Sequence, residues 1–421
     1  MLRPYRDILT NPGALSFSAT GVLARLPISM VGIGIVLMLS AIYDSYALAG
    51  RVSAVYVIAG ALCGPPIARF VDRYGQARIM RPANALAIAG LAALIIVTTM
   101  RADVGWLYVT AIVAGIPSGS FGSLVRARWS YVLDDPRQLH TAYSLESTLD
   151  EVVFIVGPVL ATVLATSVAP AAGLLVPIVA LAVGGYLFLS LQGTEPPAHA
   201  HAADIPDGPG PVTGRLARAG RVMRAGSVMS SRGMFVLAAV FVAMGTIFGA
   251  TDVSTVAFAQ EQGSKASAGF VLAFFAGGSM LSGLGYGARN WVTPLWKRFA
   301  IGVVSLAVGV SLFFAVTSIP VLAFVMFVAG FAIAPTLING NRLVQHFVPA
   351  GRLTEGLTWV GTSLGVGVSI GSSIAGVAID EQGSPGGFLV VMAAAGFAVA
   401  ATLVSLRTLR AGNPVTVDLR G

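Results

Sequence analysis

Three carboxylates fall within one short run, Glu146-Ser147-Thr148-Leu149-Asp150-Glu151, and this run lies in an apolar stretch. An arginine, Arg25, stands inside another. Residues four apart share a helical face, so Glu146 and Asp150 point the same way, while Glu151 projects about 100° from Asp150. For a helix that starts near Thr141, Glu151 lies about 15 Å in, approaching mid-membrane, and Arg25 counted from Pro12 lies about 20 Å in. An ionised acid at such a depth is costly unless it pairs, reaches water or takes a proton. Two chemistries fit Glu146, Asp150, Glu151 and Arg25. In the first, protonating Glu151 or Asp150 releases the Arg25 guanidinium, and losing the proton restores the pair. In the second, a static buried ion pair fixes helix packing. Arg126 and Arg128 are alternative partners for Glu146. The density of acids favours proton coupling.

The elements that carry these groups are apolar stretches of membrane-crossing length. We read spans at 14–39, 47–67, 83–100, 106–125, 144–167 and 172–191, and again at 234–257, 268–284, 299–315, 321–338, 357–379 and 388–404. The composition agrees, with 56% hydrophobic and 10% charged residues, values outside the range of soluble domains. With the N-terminus placed in the cytoplasm, all Lys and Arg except Arg25, Arg51, Arg101 and Lys265 fall on the cytoplasmic side. The positive-inside rule therefore puts both termini there. A net charge of +8 can signal nucleic-acid binding, but here the basic residues sit in short loops beside spans, where membrane lipids are the natural partner and nucleic acid is excluded. The single Cys63 has no disulfide partner in the chain. No cleavable signal peptide is expected, so the first stretch stays as helix one.

The chain divides into residues 1–191, a linker at 192–233 and residues 234–421. The linker begins Pro- and Gly-rich and continues with Arg215, Arg218, Arg221 and Arg224, whose spacing gives either a basic helical stripe on the inner leaflet or a solvated loop. His199 and His201 lack further ligands, and no metal or cofactor is expected. Gly157 and Gly371 are separated by the same 214 residues as Arg128 and Arg342, and each glycine has an alanine four residues on, Ala161 and Ala375. Val113-Ala114-Gly115 matches Val328-Ala329-Gly330 at nearly that offset. Duplicated six-helix halves follow, the arrangement that alternating access uses.

The loop after the second span reads Gly64-Pro65-Pro66-Ile67-Ala68-Arg69-Phe70-Val71-Asp72-Arg73-Tyr74-Gly75-Gln76-Ala77-Arg78. Here the chain resembles the major facilitator superfamily, whose signature in this loop is Gly-x-x-x-Asp-Arg-x-Gly-Arg-Arg. Asp72, Arg73 and Gly75 match; Ala68, Gln76 and Ala77 depart from it. The resemblance implies an all-α polytopic fold of twelve transmembrane helices in two pseudo-symmetric six-helix bundles, and a loop from Asp72 to Arg78 that latches the halves on the cytoplasmic side. Gly157-Pro158, with Ala161 following, is similar in part to a motif associated with antiporters, Gly-Pro-x-x-Gly-Gly. The chain thus resembles bacterial twelve-span drug or metabolite:proton antiporters of the cytoplasmic membrane.

The function expected is secondary transport of a small molecule coupled to protons, with efflux of a hydrophobic or amphipathic compound favoured. Transport of a sugar or other polar metabolite is the alternative, with Phe121, Trp129 and Trp359 available for stacking and Asn339 for hydrogen bonding. A membrane enzyme is disfavoured, because His140 and His346 have no acid or nucleophile at a recognisable spacing. A nucleotide-driven pump lacks its phosphate loop. A channel or receptor would leave the latch and the duplication without a purpose. A monomer is expected.

Overall fold

The computed structural model describes residues 3–117, 121–198, 227–264 and 267–411, and all regular structure among them is helical. A short α1 (Arg3–Leu9) precedes α2 (Ala14–Tyr43), α3 (Tyr46–Tyr74), α4 (Gln76–Thr99), α5 (Val104–Gly115), α6 (Phe121–Val132) and α7 (Pro136–Ser167). Then α8 (Ala172–Ala180) passes through a π turn (Leu181–Gly185) into α9 (Tyr186–Ser190). The second half contains α10 (Arg232–Glu261), α11 (Ser267–Gly287), α12 (Leu295–Ser311), α13 (Ile319–Gly330), α14 (Ile333–Phe347), α15 (Leu353–Gln382), α16 (Ser384–Val404) and α17 (Leu406–Ala411). Among the described residues, 11 helical runs are long and apolar enough to cross a membrane, and α5 is a shorter apolar helix in the place of the fourth expected span. The protein is a multi-pass membrane protein of two six-helix bundles.

The fourth span is discontinuous. Helix α5 ends at Gly115, and Pro117, which has no N–H to continue the ladder, stands between it and α6. The second half breaks at the same place: α13 ends at Gly330 and α14 restarts at Ile333, with Pro335 in the first turn, where proline is tolerated. The repeated Val-Ala-Gly triplets therefore close α5 and α13. At each, a backbone crosses too closely for a side chain. A Cβ on Gly115 would lie 2.4 Å from the Tyr56 carbonyl of α3, and one on Gly330 would lie 2.3 Å from the Phe275 carbonyl of α11. The other glycine pair behaves alike: a Cβ on Gly157 would meet Ser29 Oγ of α2 at 2.0 Å, and one on Gly371 would meet the Thr246 carbonyl of α10 at 2.2 Å. The internal repeat records conserved helix crossings of the small-residue kind used in membranes.

Two hydrophobic cores result. One gathers residues between Ile8 and Leu189, the other residues between Val228 and Leu409, and from the second half Ala334 and Ile338 of α14 enter the first core, with Tyr286 of α11 packed against it. Helix α7 starts well before the expected residue 144. Its first turns are polar, so hydropathy misses them, but Asp135 caps the helix by accepting from the Arg137 N–H at 2.8 Å and Pro136 opens it. Glu151 consequently lies about 22 Å from the start of α7, and Arg25 about 17 Å from the start of α2. The basic stripe from Arg215 to Arg224, and His199 and His201, fall outside the described residues.

If these crossings set the helix spacing, Gly371→Leu or Gly115→Leu should destabilise the protein by about 1–3 kcal/mol or more. Thermal unfolding in a fixed detergent measures this, and a melting temperature equal to the wild type's would show that the helices do not approach so closely.

Candidate functional site

Four ionisable side chains form a closed cluster where α2, α6 and α7 meet. Arg25 donates through Nη2 to Glu146 Oε2 at 2.5 Å and through Nη1 to Asp150 Oδ1 at 2.7 Å. Arg126 donates through Nη2 to the second oxygen, Asp150 Oδ2, at 2.6 Å. The i, i+4 spacing of Glu146 and Asp150 presents both to α2, as one helical face requires. Glu146 is wholly buried and takes two further bonds at Oε1, from Ser18 Oγ and Trp129 Nε1, each at 2.7 Å. Arg25 Nε donates to the Gly21 carbonyl at 3.1 Å and Arg126 Nη1 to the Gly122 carbonyl at 3.2 Å. Asp150 is the most exposed member, 27% against 0% for Glu146. Two acids facing two guanidiniums neutralise one another, so the cluster removes most of the cost of holding charge in hydrocarbon.

Glu151 stands apart from it. One residue on, it is turned towards α11, where Ser279 Oγ donates to Oε1 at 2.6 Å, and no cation lies within ion-pair distance among the described residues. Arg25 therefore pairs with Glu146 and Asp150 and not with Glu151. Of the two alternative partners for Glu146, Arg126 goes to Asp150. Arg128 bonds Gln76 Oε1 at 2.8 Å and Thr194 Oγ1 at 3.0 Å and lies 3.9 Å over the Phe188 ring.

The Glu151–Ser279 bond is one of a ladder between the two halves. Along α7 and α11, Ser144 Oγ donates to the Gly283 carbonyl and Thr141 Oγ1 to the Gly287 carbonyl, each at 2.8 Å, and His140 Nε2 lies 3.1 Å from the Tyr286 carbonyl. Gln345 of α14 donates to the Tyr143 hydroxyl at 2.7 Å. Tyr5 of α1 donates to the Leu284 carbonyl at 2.6 Å, and burial, opposed by Ser144, pushes its phenol up to about 12, so it remains a neutral donor. All of these lie on one side of Glu151, towards the end of the bundle that carries α1 and most arginines, called here the basic end. On α15, a Cβ on Gly361 or Gly365 would meet nothing within 4 Å. Gly367 and Gly371 of the same helix instead press on the Val242 and Thr246 carbonyls of α10.

The Asp72 loop closes the basic end. Asp72 Oδ1 and Oδ2 accept from the Thr354 and Glu355 backbone N–H groups at 3.1 and 2.8 Å, so a carboxylate from one half caps the first turn of α15 in the other. Glu355 is wholly buried and receives Arg69 Nη2 from across the interface at 2.8 Å and Arg352 Nη2 at 2.7 Å. Helix α15 starts at Leu353, ahead of the expected 357, and so includes Glu355. An acidic residue in a first helical turn is the signal that marks it. Gly75 has a φ of +94°, which explains why glycine is needed there, and it separates α3 from α4. Gln76, where the family pattern has a basic residue, holds Arg128. Arg73 and Arg78 flank the Tyr74 ring at 5.4 and 5.9 Å.

The residues read as lining a solute cavity sit as follows. Phe121 packs on Phe188 at 5.8 Å, Trp129 is buried against Phe17 with its N–H given to Glu146, and Asn339 Nδ2 donates to the Tyr286 hydroxyl at 2.9 Å. Trp359 packs on the second core. In this conformation Phe121 and Trp129 are core, and their aromatic faces are taken. Gly157 is the contact with Ser29, Ala161 is buried, and Pro158 lies within α7 without ending it.

Comparison with known proteins agrees with the geometry. The sequence pattern of the Major Facilitator Superfamily matches residues 17–299. No sequence among curated proteins matches the chain. Among solved structures, a bacterial homologue of the iron transporter ferroportin in an outward-facing state is similar at a TM-score of 0.71 and 14% identity, covering 95% of this chain and 98% of that one. The human organic anion transporter MFSD10 (TETRAN) is similar at a TM-score of 0.65 and 14% identity, covering 95% and 99%. With its twelve-helix architecture and the match over most of its length, this chain belongs to the Major Facilitator Superfamily and is a transporter, not an enzyme.

Proposed function

We propose that the protein is a proton-coupled carrier of the cytoplasmic membrane of a bacterium, exporting a hydrophobic or amphipathic solute by alternating access, with both termini in the cytoplasm. The observation that carries this reading is Glu151, an acid deep in α7 whose described partner is a single hydroxyl on the opposite half. An acid held that way exchanges a proton at low cost in structure, because no guanidinium must be released when it does. Asp150, the most exposed member of the Arg25 cluster, is the second candidate, and Glu146 and Arg25 with it form the frame that positions both. The basic end is the cytoplasmic one in this reading, because the arginine-bearing loops and α1 lie there. The structure is then closed towards the cytoplasm, with Asp72, Arg73, Gly75 and Arg78 in the latch.

Export is supported by the partial Gly157-Pro158-Ala161 motif. An amphipathic solute is supported by the partly exposed Asp150 carboxylate in the first half and the uncovered helix surface at Gly361 and Gly365 in the second. At 14% identity the neighbours' cargoes, organic anions and iron, stay with those proteins. Phe121, Trp129, Asn339 and Trp359 contact solute only if the halves rearrange, since they are packed in this conformation.

Glu151→Gln should abolish flux driven by a pH gradient in proteoliposomes while leaving exchange of solute down its own gradient within about threefold. Proton-driven flux at the wild-type rate removes Glu151 from coupling. Glu146→Gln should instead cost about 3–5 kcal/mol of stability, because it leaves Arg25 short of a partner in a buried site. A wild-type melting temperature would show that the pair is dispensable. Asp72→Asn weakens the cap on α15 and should shift the population away from the closed latch; labelling of buried latch positions from the cytoplasmic side, unchanged from wild type, would reduce the loop to a turn.

A further inference from the structure

At the basic end, the start of α7 and the loop after α11 line a cleft of about 140 Å³ between the halves that the transport reading does not use. The first half contributes Arg137 and His140 from the start of α7. The second contributes Arg289 and Trp291 from the loop after α11, Arg298 from α12 and Arg342 from α14. Four guanidiniums thus line one small cleft, and no carboxylate does. The nearest acid in sequence, Asp135, spends its side chain on the Arg137 backbone N–H. None of these four arginines forms an ion pair among the described residues. The Nε–H groups of Arg298 and Arg342 are buried without a hydrogen-bond acceptor.

The walls are otherwise fixed. Tyr286 stacks on Trp291 at 4.5 Å, Arg289 lies 5.0 Å over Trp291, and Trp291 Nε1 donates to the Tyr286 carbonyl at 3.0 Å. The corresponding segment of the first half supplies Asp72 to the opposite helix start, whereas the stretch from the last turn of α11 through the loop to the first turn of α12, residues 284–298, contains no acid. Converging cations with unused N–H groups and no protein anion form a site for an anion from outside the protein. Guanidinium forks match the oxygens of a phosphate best.

We propose that this cleft binds a phosphate group, which stands in for the carboxylate that the second half lacks and bridges Arg137 to Arg289, Arg298 and Arg342. The complete site exists only while the halves are closed at the basic end. A bound phosphate therefore favours that conformation by its differential affinity and lowers the rate of opening. The phosphate belongs either to an anionic lipid headgroup entering from the adjacent leaflet or to a soluble phosphate; basic pockets between membrane helices accept headgroups in this way.

The test uses the full-length protein on a Cys63→Ser background, with spin labels at Tyr131→Cys and His346→Cys, exposed positions on opposite halves. The distance between the labels is followed during titration with inorganic phosphate, against sodium chloride at equal ionic strength, and in nanodiscs of phosphatidylcholine with or without phosphatidylglycerol. The closed population should rise severalfold. Arg137→Gln with Arg289→Gln, two exposed residues whose loss leaves the fold intact, should raise the half-maximal phosphate or phosphatidylglycerol level about tenfold, as loss of a charge-assisted hydrogen bond implies. A response to phosphatidylglycerol alone assigns a headgroup, and a response to inorganic phosphate alone assigns a soluble anion. No response to either, or a variant that responds as the wild type does, overturns the proposal.

Discussion

A charge in hydrocarbon persists only where other groups take over the work of water, and the interior of this protein is arranged by that constraint. Arg25, Glu146, Asp150 and Arg126 satisfy one another within a single half, and Ser18 and Trp129 complete the coordination of Glu146. Because all members move together, the cluster survives any rearrangement between the halves. The remaining acid of the same helix, Glu151, has been left to an uncharged donor across the boundary. A rotation of one residue along a helix, about 100°, is enough to separate an acid paired with guanidiniums from one bonded to a hydroxyl.

The interface between the halves follows the opposite rule. Its contacts along α7 and α11 are single hydrogen bonds, from Thr141 and Ser144 to backbone carbonyls, from Ser279 to Glu151 and between His140 and the Tyr286 carbonyl, and at the Asp72 loop a carboxylate meets backbone N–H groups at the start of α15. Such bonds contribute about 0.5–1.5 kcal/mol each and break one at a time. Water can replace each of them when the halves part. Only the Arg69–Glu355 bond joins full charges across this boundary among the pairs described, and Arg352 stays with Glu355 from the same side. A carrier built in this way holds closed through the number of contacts more than through the strength of any one.

Close helix crossings make the arrangement possible. Gly115, Gly330 and Gly371 meet backbone carbonyls and Gly157 the Ser29 side chain at equivalent helix crossings of the two halves, and the interrupted spans α5–α6 and α13–α14 break at equivalent places. These crossings belong to the duplicated scaffold, while the charges are distributed unequally on it. The first half carries the buried cluster. The second carries an acid-free loop after α11 with Arg289, beside Arg298 of α12 and Arg342 of α14, which is where the proposed phosphate site lies.

Much of this was legible in the residues themselves. Apolar length, arginine placement, the repeat and the Asp72 loop are local or periodic properties, and the requirement to satisfy the backbone within lipid turns each long apolar run into a helix. The start of α7 and the acid of α15 escaped because polar first turns look like loops to a hydropathy reading. Partner choice was a different matter. That Arg25 takes Glu146 and Asp150, that Arg126 takes Asp150, that Arg128 goes to Gln76, and that Trp129 serves Glu146 and not a solute depend on the rotation and depth of helices far apart in the chain. The sequence alone determined which groups must be sheltered from lipid; tertiary packing decided which group shelters which, because that choice is made by distances of a few ångströms between helices whose mutual register no single segment encodes.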